Sequence, residues 1–169
     1  MRAAGVILGV VAALALQTTL ARYVVRGTVA IDLVLVAVVY VALTSGPATG
    51  LLAGTFAGLV QDALSTPVIG IGGLAKTIVG FLAGVIGTQF IVSQPLPRFV
   101  VFFGASALHA VIFMGLYTLL DLRHFDTPYR AVAGQSTANA LVGVIAFQVV
   151  ELLPGAVERR RAAKTRLRR

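Results

Sequence analysis

Asp32, Asp62 and Lys76 are ionisable residues set inside apolar stretches where lipid does not tolerate a lone charge. On insertion scales each costs about 2.5–3.5 kcal/mol at mid-membrane and less near the interface. Such groups persist because they pair, snorkel to a helix end, or hold a ligand, an ion or a partner helix. An Asp62–Lys76 ion pair, or separate charges snorkelling at a helix end, is the plain structural reading, and a functional polar site is its rival. His109 and Asn139 add polar groups near the middle of two later apolar runs, with Gln135, Ser136 and Thr137 one turn from Asn139. A hydrogen bond to a neighbouring helix accounts for both. No further ionisable group is expected at the depth of His109, which leaves a proton relay without partners.

The same survey excludes most enzyme chemistry. There is no cysteine, hence no disulfide, thiolate nucleophile or cysteine metal site. The two histidines have no carboxylate at i+3 or i+4, so no metal site is expected. P-loop, nucleophile elbow, HExxH and magnesium–phosphate acid pairs are all missing. Asp121, Arg123, His124 and Asp126 read as solvated loop charges. No loop is long enough to build a soluble active site, so a non-enzymatic protein without a cofactor is expected.

These residues must be positioned by membrane helices. The chain of 169 residues is 58% hydrophobic and 12% charged, with a mean hydropathy of +0.95. Soluble domains carry about 25% charged residues, and about 20 apolar residues cross the hydrocarbon layer. The stretches are too long and too uniformly apolar for barrel strands. The fold class is an all-α membrane protein, a six-helix bundle in one domain over 1–155. Pro47, Pro67, Pro95, Pro97, Pro128 and Pro154 all fall between apolar stretches, where a residue that lacks an amide hydrogen is tolerated. With the charged link Arg22 to Arg26 they mark spans over about 3–21, 28–44, 47–64, 70–92, 98–120 and 131–153. Asp32 then lies one turn into the second helix, and Ser45 before Gly46-Pro47 is a start signal for the third.

Six spans place both termini on one side. Seven of the 14 Lys/Arg fall in the last eleven residues, a basic tail over 156–169. The positive-inside rule makes that side cytoplasmic, and the tail suits anionic lipid rather than nucleic acid. Arg2 and Arg98 add to the inner count; Arg22, Arg26, Arg123 and Arg130 fall outside. The first apolar run is longer than the ~7–15 residue core of a signal peptide. Gly5 and Gly9 give it a packing face, so a retained helix is expected.

Two glycine ladders complete the pattern. Gly46, Gly50, Gly54 and Gly58 recur every four residues and end at Asp62, and Gly72, Lys76, Gly80, Gly84 and Thr88 follow. Residues four apart share a helix face, drifting about 40° per step. Each stretch therefore has a groove where another backbone can come close. The ladders either pack on each other or receive a partner's helix.

The stretch from Gly46-Pro47 to Gly87 resembles the bacterial rod shape-determining MreD family. The matching elements are Gly-Leu-Val-Gln-Asp (Gly58 to Asp62), the Pro67 to Gly70 link, and Lys76-Thr77 leading into Gly-Phe-Leu-Ala-Gly (Gly80 to Gly84). The resemblance implies a non-enzymatic inner-membrane component of the cell-elongation machinery. It implies a bitopic partner, MreC, and indirect ties to the MreB filament and to peptidoglycan synthases. The family is also similar in fold to the substrate-binding subunits of energy-coupling-factor vitamin transporters, which supplies the alternative: a small-molecule site near Asp32, Asp62 and Lys76.

Overall fold

In a computed structural model, residues 3–23, 31–65, 68–90, 94–122 and 128–166 are described. Most of the Arg22–Arg26 link, Pro67, the loop residues Arg123, His124 and Asp126, and the end of the tail lie outside them. The described chain forms six helices: α1 (Ala3–Tyr23), α2 (Leu33–Ser45), α3 (Pro47–Ser65), α4 (Ile71–Gln89), α5 (Pro95–Leu119) and α6 (Pro128–Arg166). Three are long and apolar enough to cross a membrane: α4, α5 and α6 over Tyr129–Leu152.

The centre of the bundle is α2, which touches every other helix. It buries Val34, Leu35, Val36, Val38, Val39, Val41 and Ala42, residues on all its sides. Its 13 residues reach only about 20 Å at 1.5 Å per residue. The described helix starts later than the expected span, and Asp32 is its N-cap rather than a residue one turn inside. Ser45 is likewise the last residue of α2, not the start of α3. Gly46, at φ 87°, is the single residue between the two helices. That left-handed backbone favours glycine and lets the chain reverse in one step.

Gln17 clips α1 to this centre. Its amide donates to the Ile31 carbonyl at 2.9 Å and accepts from the Leu33 amide at 2.8 Å. Val10 and Leu14 pack with Val34, Val38 and Ala57. Gly5 and Gly9, by contrast, meet nothing. The packing face of α1 is the branched one, because a glycine with no opposing backbone adds no contact.

The two ladders meet. α3 and α4 run antiparallel, and the Gly50 and Gly80 backbones touch so closely that a Cβ on either would overlap the other's carbonyl oxygen. A Cβ at Gly54 would overlap the Lys76 carbonyl, one at Gly58 the Gly73 backbone, and one at Gly84 the Pro47 backbone. Thr55 and Thr77 hydroxyls lie 2.8 Å apart across the seam. The glycine-lined groove is therefore filled from within the chain.

α5 begins with Pro95 in its first turn, where proline costs no hydrogen bond. It pairs with α6 through Phe102, whose ring lies where a Cβ of Gly143 would be. Arg98, expected in an inner loop, is buried in the first turn of α5. It donates twice to Glu151, at 2.8 and 2.6 Å, and lies 4.0 Å over the Phe147 ring. Bidentate geometry and the aromatic face satisfy a guanidinium that has lost water. α6 runs on through Pro154 to Arg166, so the expected boundary at 153 is not a helix end.

Candidate functional site

The polar residues singled out from sequence come together at the end of the bundle that carries the α3–α4 link. Asp32 is the hub. Its Oδ1 accepts from the Leu35 amide at 2.9 Å, closing the first turn of α2, the usual service of an N-cap aspartate. Its Oδ2 lies 2.9 Å from the Lys76 ammonium. Its own backbone amide donates to Asn139 Oδ1 at 2.9 Å, and Asn139 Nδ2 donates to Ser106 Oγ at 2.8 Å. One chain of bonds thus joins α2, α4, α5 and α6.

Lys76 reaches His109 as well, at 3.1 Å from Nε2. An ammonium has only donors, so Nε2 accepts and the ring proton sits on Nδ1. The ring stacks on Phe113, with centroids 5.9 Å apart. The expectation that no ionisable group shares the depth of His109 is corrected here: Lys76 and Asp32 both do. Position within an apolar run fixes depth only when each helix is straight, full-length and equally placed, and α2 is short and offset.

Lys76 pairs with Asp32, not with Asp62 as the hairpin suggested. Asp62 has a different task. Its Oδ2 accepts from the amides of Gly70 and Gly73, both at 2.9 Å. Gly70, the N-cap of α4, offers no side chain to that helix. Asp62 therefore caps α4 from across the hairpin, where the free amides and the helix dipole favour an anion. Gly72 is open for this purpose, since a Cβ there would overlap Asp62 Oδ1. The acid at the end of the first ladder and the glycine at the start of the second are one device.

Asp32, Asp62, Lys76, His109, Ser106 and Asn139 are all buried. Beside them is a cavity of about 220 Å³ lined by Asp32, Gln61, Asp62, Lys76, His109 and Gln135, among others. Among the described residues no group of three or more His, Cys, Asp or Glu could hold a metal ion. Sequence reasoning missed Ser106 and the Arg98–Glu151 pair. Ser106 stands three residues before His109, on the same helix face, and that spacing was the available signal. The arginine and glutamate are 53 residues apart, and only the α5–α6 pairing brings them together.

Helices sealed backbone to backbone, with charges spent on capping and cross-linking them, define a helical membrane protein whose polar core ties helices together. The chain belongs to the rod shape-determining MreD family: the family described as rod shape-determining protein MreD matches residues 3–154, nearly its whole length. That membership carries a role in determining rod shape. No curated protein and no solved structure matches the chain.

Proposed function

We propose that this chain is a six-span, non-enzymatic scaffold of the side-wall growth machinery in the bacterial inner membrane. Both termini are cytoplasmic, and the basic segment over 156–169 lies against anionic lipid. The scaffold holds the membrane helix of an MreC-type single-pass partner, and through it connects to the MreB filament and the peptidoglycan synthases. The glycine ladders are not the docking surface in this reading, because α3 and α4 fill each other's grooves.

The observation that carries the proposal is a groove between α4 and α5 of about 530 Å³. Its walls repeat at helical spacing: Val79, Ala83 and Ile86 on one side, Val100, Gly104 and Leu108 on the other. It runs roughly 16 Å from Val79 to Phe90, at 1.5 Å per residue. A Cβ added at Gly104 would meet nothing. Small residues on an apolar wall allow a second helix to approach closely. Nothing in the comparisons supports the transporter alternative.

The test is Gly104→Leu, which puts a side chain into the groove at a position where an added Cβ meets nothing. The variant should insert and unfold at the parent temperature, yet lose the single-pass partner on co-purification from native membranes. Undiminished co-purification would remove the groove from the account.

A further inference from the structure

We propose that the Lys76–His109 hydrogen bond fixes the spacing of α4 and α5, and so governs how the partner's helix seats in the groove between them. His109 is then a positioning residue for that interface. The inference rests on the groove reading above and deepens it.

The bond continues both walls of the groove. Lys76, Val79, Ala83 and Ile86 recur at steps of three and four residues, so they share one face of α4. Val101, Ala105 and His109 share one face of α5 in the same way. The apolar members of both sets line the groove. Lys76 and His109 meet one turn beyond them, at 3.1 Å. At the opposite end Phe90 caps α4 and Gln94 caps α5, so the chain itself holds the walls together there. Val79, Ala83 and Ala105 join a core cluster with Leu35 and Val39 of α2, which puts α2 beneath the groove. Apolar contact of this kind is non-directional and does not by itself set a distance between two walls. A hydrogen bond does, and Lys76–His109 supplies it at the end that the chain leaves open.

Three features suit the bond to this work. Lys76 is 3% exposed and His109 7%, so water does not compete for the donor, and the low local dielectric strengthens the bond. The imidazole is steadied by its stack on Phe113, one turn further along α5. The ammonium is held from the other side by Asp32. Lys76 therefore keeps its carboxylate when the histidine is replaced, and α5 alone is released. That separates the spacing of the groove from the integrity of the ion pair.

The full chain tests this with two neutral, polar substitutions that differ in reach. In His109→Gln the amide oxygen stands about where Nε2 was, and in His109→Asn it stops short. The protein has no cysteine, so Ile78→Cys/Val111→Cys places spin labels at two exposed positions beside the bond and outside the groove. Double electron–electron resonance in nanodiscs should give the parent distance for His109→Gln and a longer or broader distribution for His109→Asn. A parent distribution in His109→Asn, or an equal change in both variants, overturns the inference. The unlabelled variants are then compared in co-purification of the single-pass partner from native membranes. Retention should fall roughly tenfold in His109→Asn, as for one lost hydrogen bond to a charged group, and hold in His109→Gln. Retention lost in Gly104→Leu but kept in His109→Asn overturns the inference and leaves the groove reading standing. Retention kept in both overturns the groove reading and, with it, the role in seating.

Discussion

α4 meets two neighbours in the chain, α3 and α5, in opposite ways. Against α3 it is sealed: the central rungs face backbone of the other ladder, with Gly50 on Gly80, Gly54 on Lys76 and Gly58 on Gly73. Against α5 it leaves a groove, and Gly104 and Gly115 meet nothing at all. The difference lies in repetition. Small residues four apart on both partners let two backbones close along their length, while a lone glycine only leaves room. The seam has polar fastenings as well, with Asp62 capping α4 across it and the Thr55 and Thr77 hydroxyls meeting, and Lys76 ties α4 on to Asp32 at the start of α2. α4 is tied to α5 by the Lys76–His109 hydrogen bond, but the groove between them is lined by apolar residues and a glycine alone, and it is the surface left for another helix.

Breaking the fastenings should cost most. Lys76→Met leaves the Asp32 carboxylate buried without its cation, and removal of one partner of such a pair costs about 3–5 kcal/mol. Chemical unfolding in detergent measures it. The double variant Asp32→Asn/Lys76→Met should recover part of the loss, because asparagine still caps α2. Next is the seam itself. Gly54→Leu forces a side chain into the Lys76 carbonyl and should cost about 1–3 kcal/mol or abolish folding, where Gly104→Leu stays within about 0.5 kcal/mol of the parent. Equal losses at the two glycines would erase the distinction between seam and groove. A smaller loss than at Gly54 is expected for Asp62→Ala, the loss of a helix cap at about 1 kcal/mol. Amide hydrogen exchange should localise it to the start of α4, at Gly70 and Gly73.

Much of the seam was legible because its cause is local. Spacing along one helix decides which residues share a face, and the short link between the ladders makes α3 and α4 neighbours. The partner of Lys76 was not legible for the same reason. Adjacency in sequence pointed to Asp62, but the choice depends on where the first turn of α2 sits, which is set by packing from all sides. Asp62 is drawn off by the two α4 amides, a demand visible only once Gly70 is known to offer no cap. Gly5 and Gly9 show the limit of glycine as a signal, since nothing approaches them. Arg98 looked like a loop charge because it follows two prolines. Its burial comes from Glu151 and Phe147, the former 53 residues away.

The central claim, that the two ladders close on each other within one chain, has a direct test. The protein has no cysteine, so Thr55→Cys/Thr77→Cys introduces a single pair, at positions whose hydroxyls are 2.8 Å apart. Mild oxidation in native membranes should give an intrachain disulfide in nearly every molecule, seen as a monomer whose two cysteines no longer react with maleimide. Disulfide-linked dimers, or cysteines that stay free for the reagent, would show that the ladders face something other than each other.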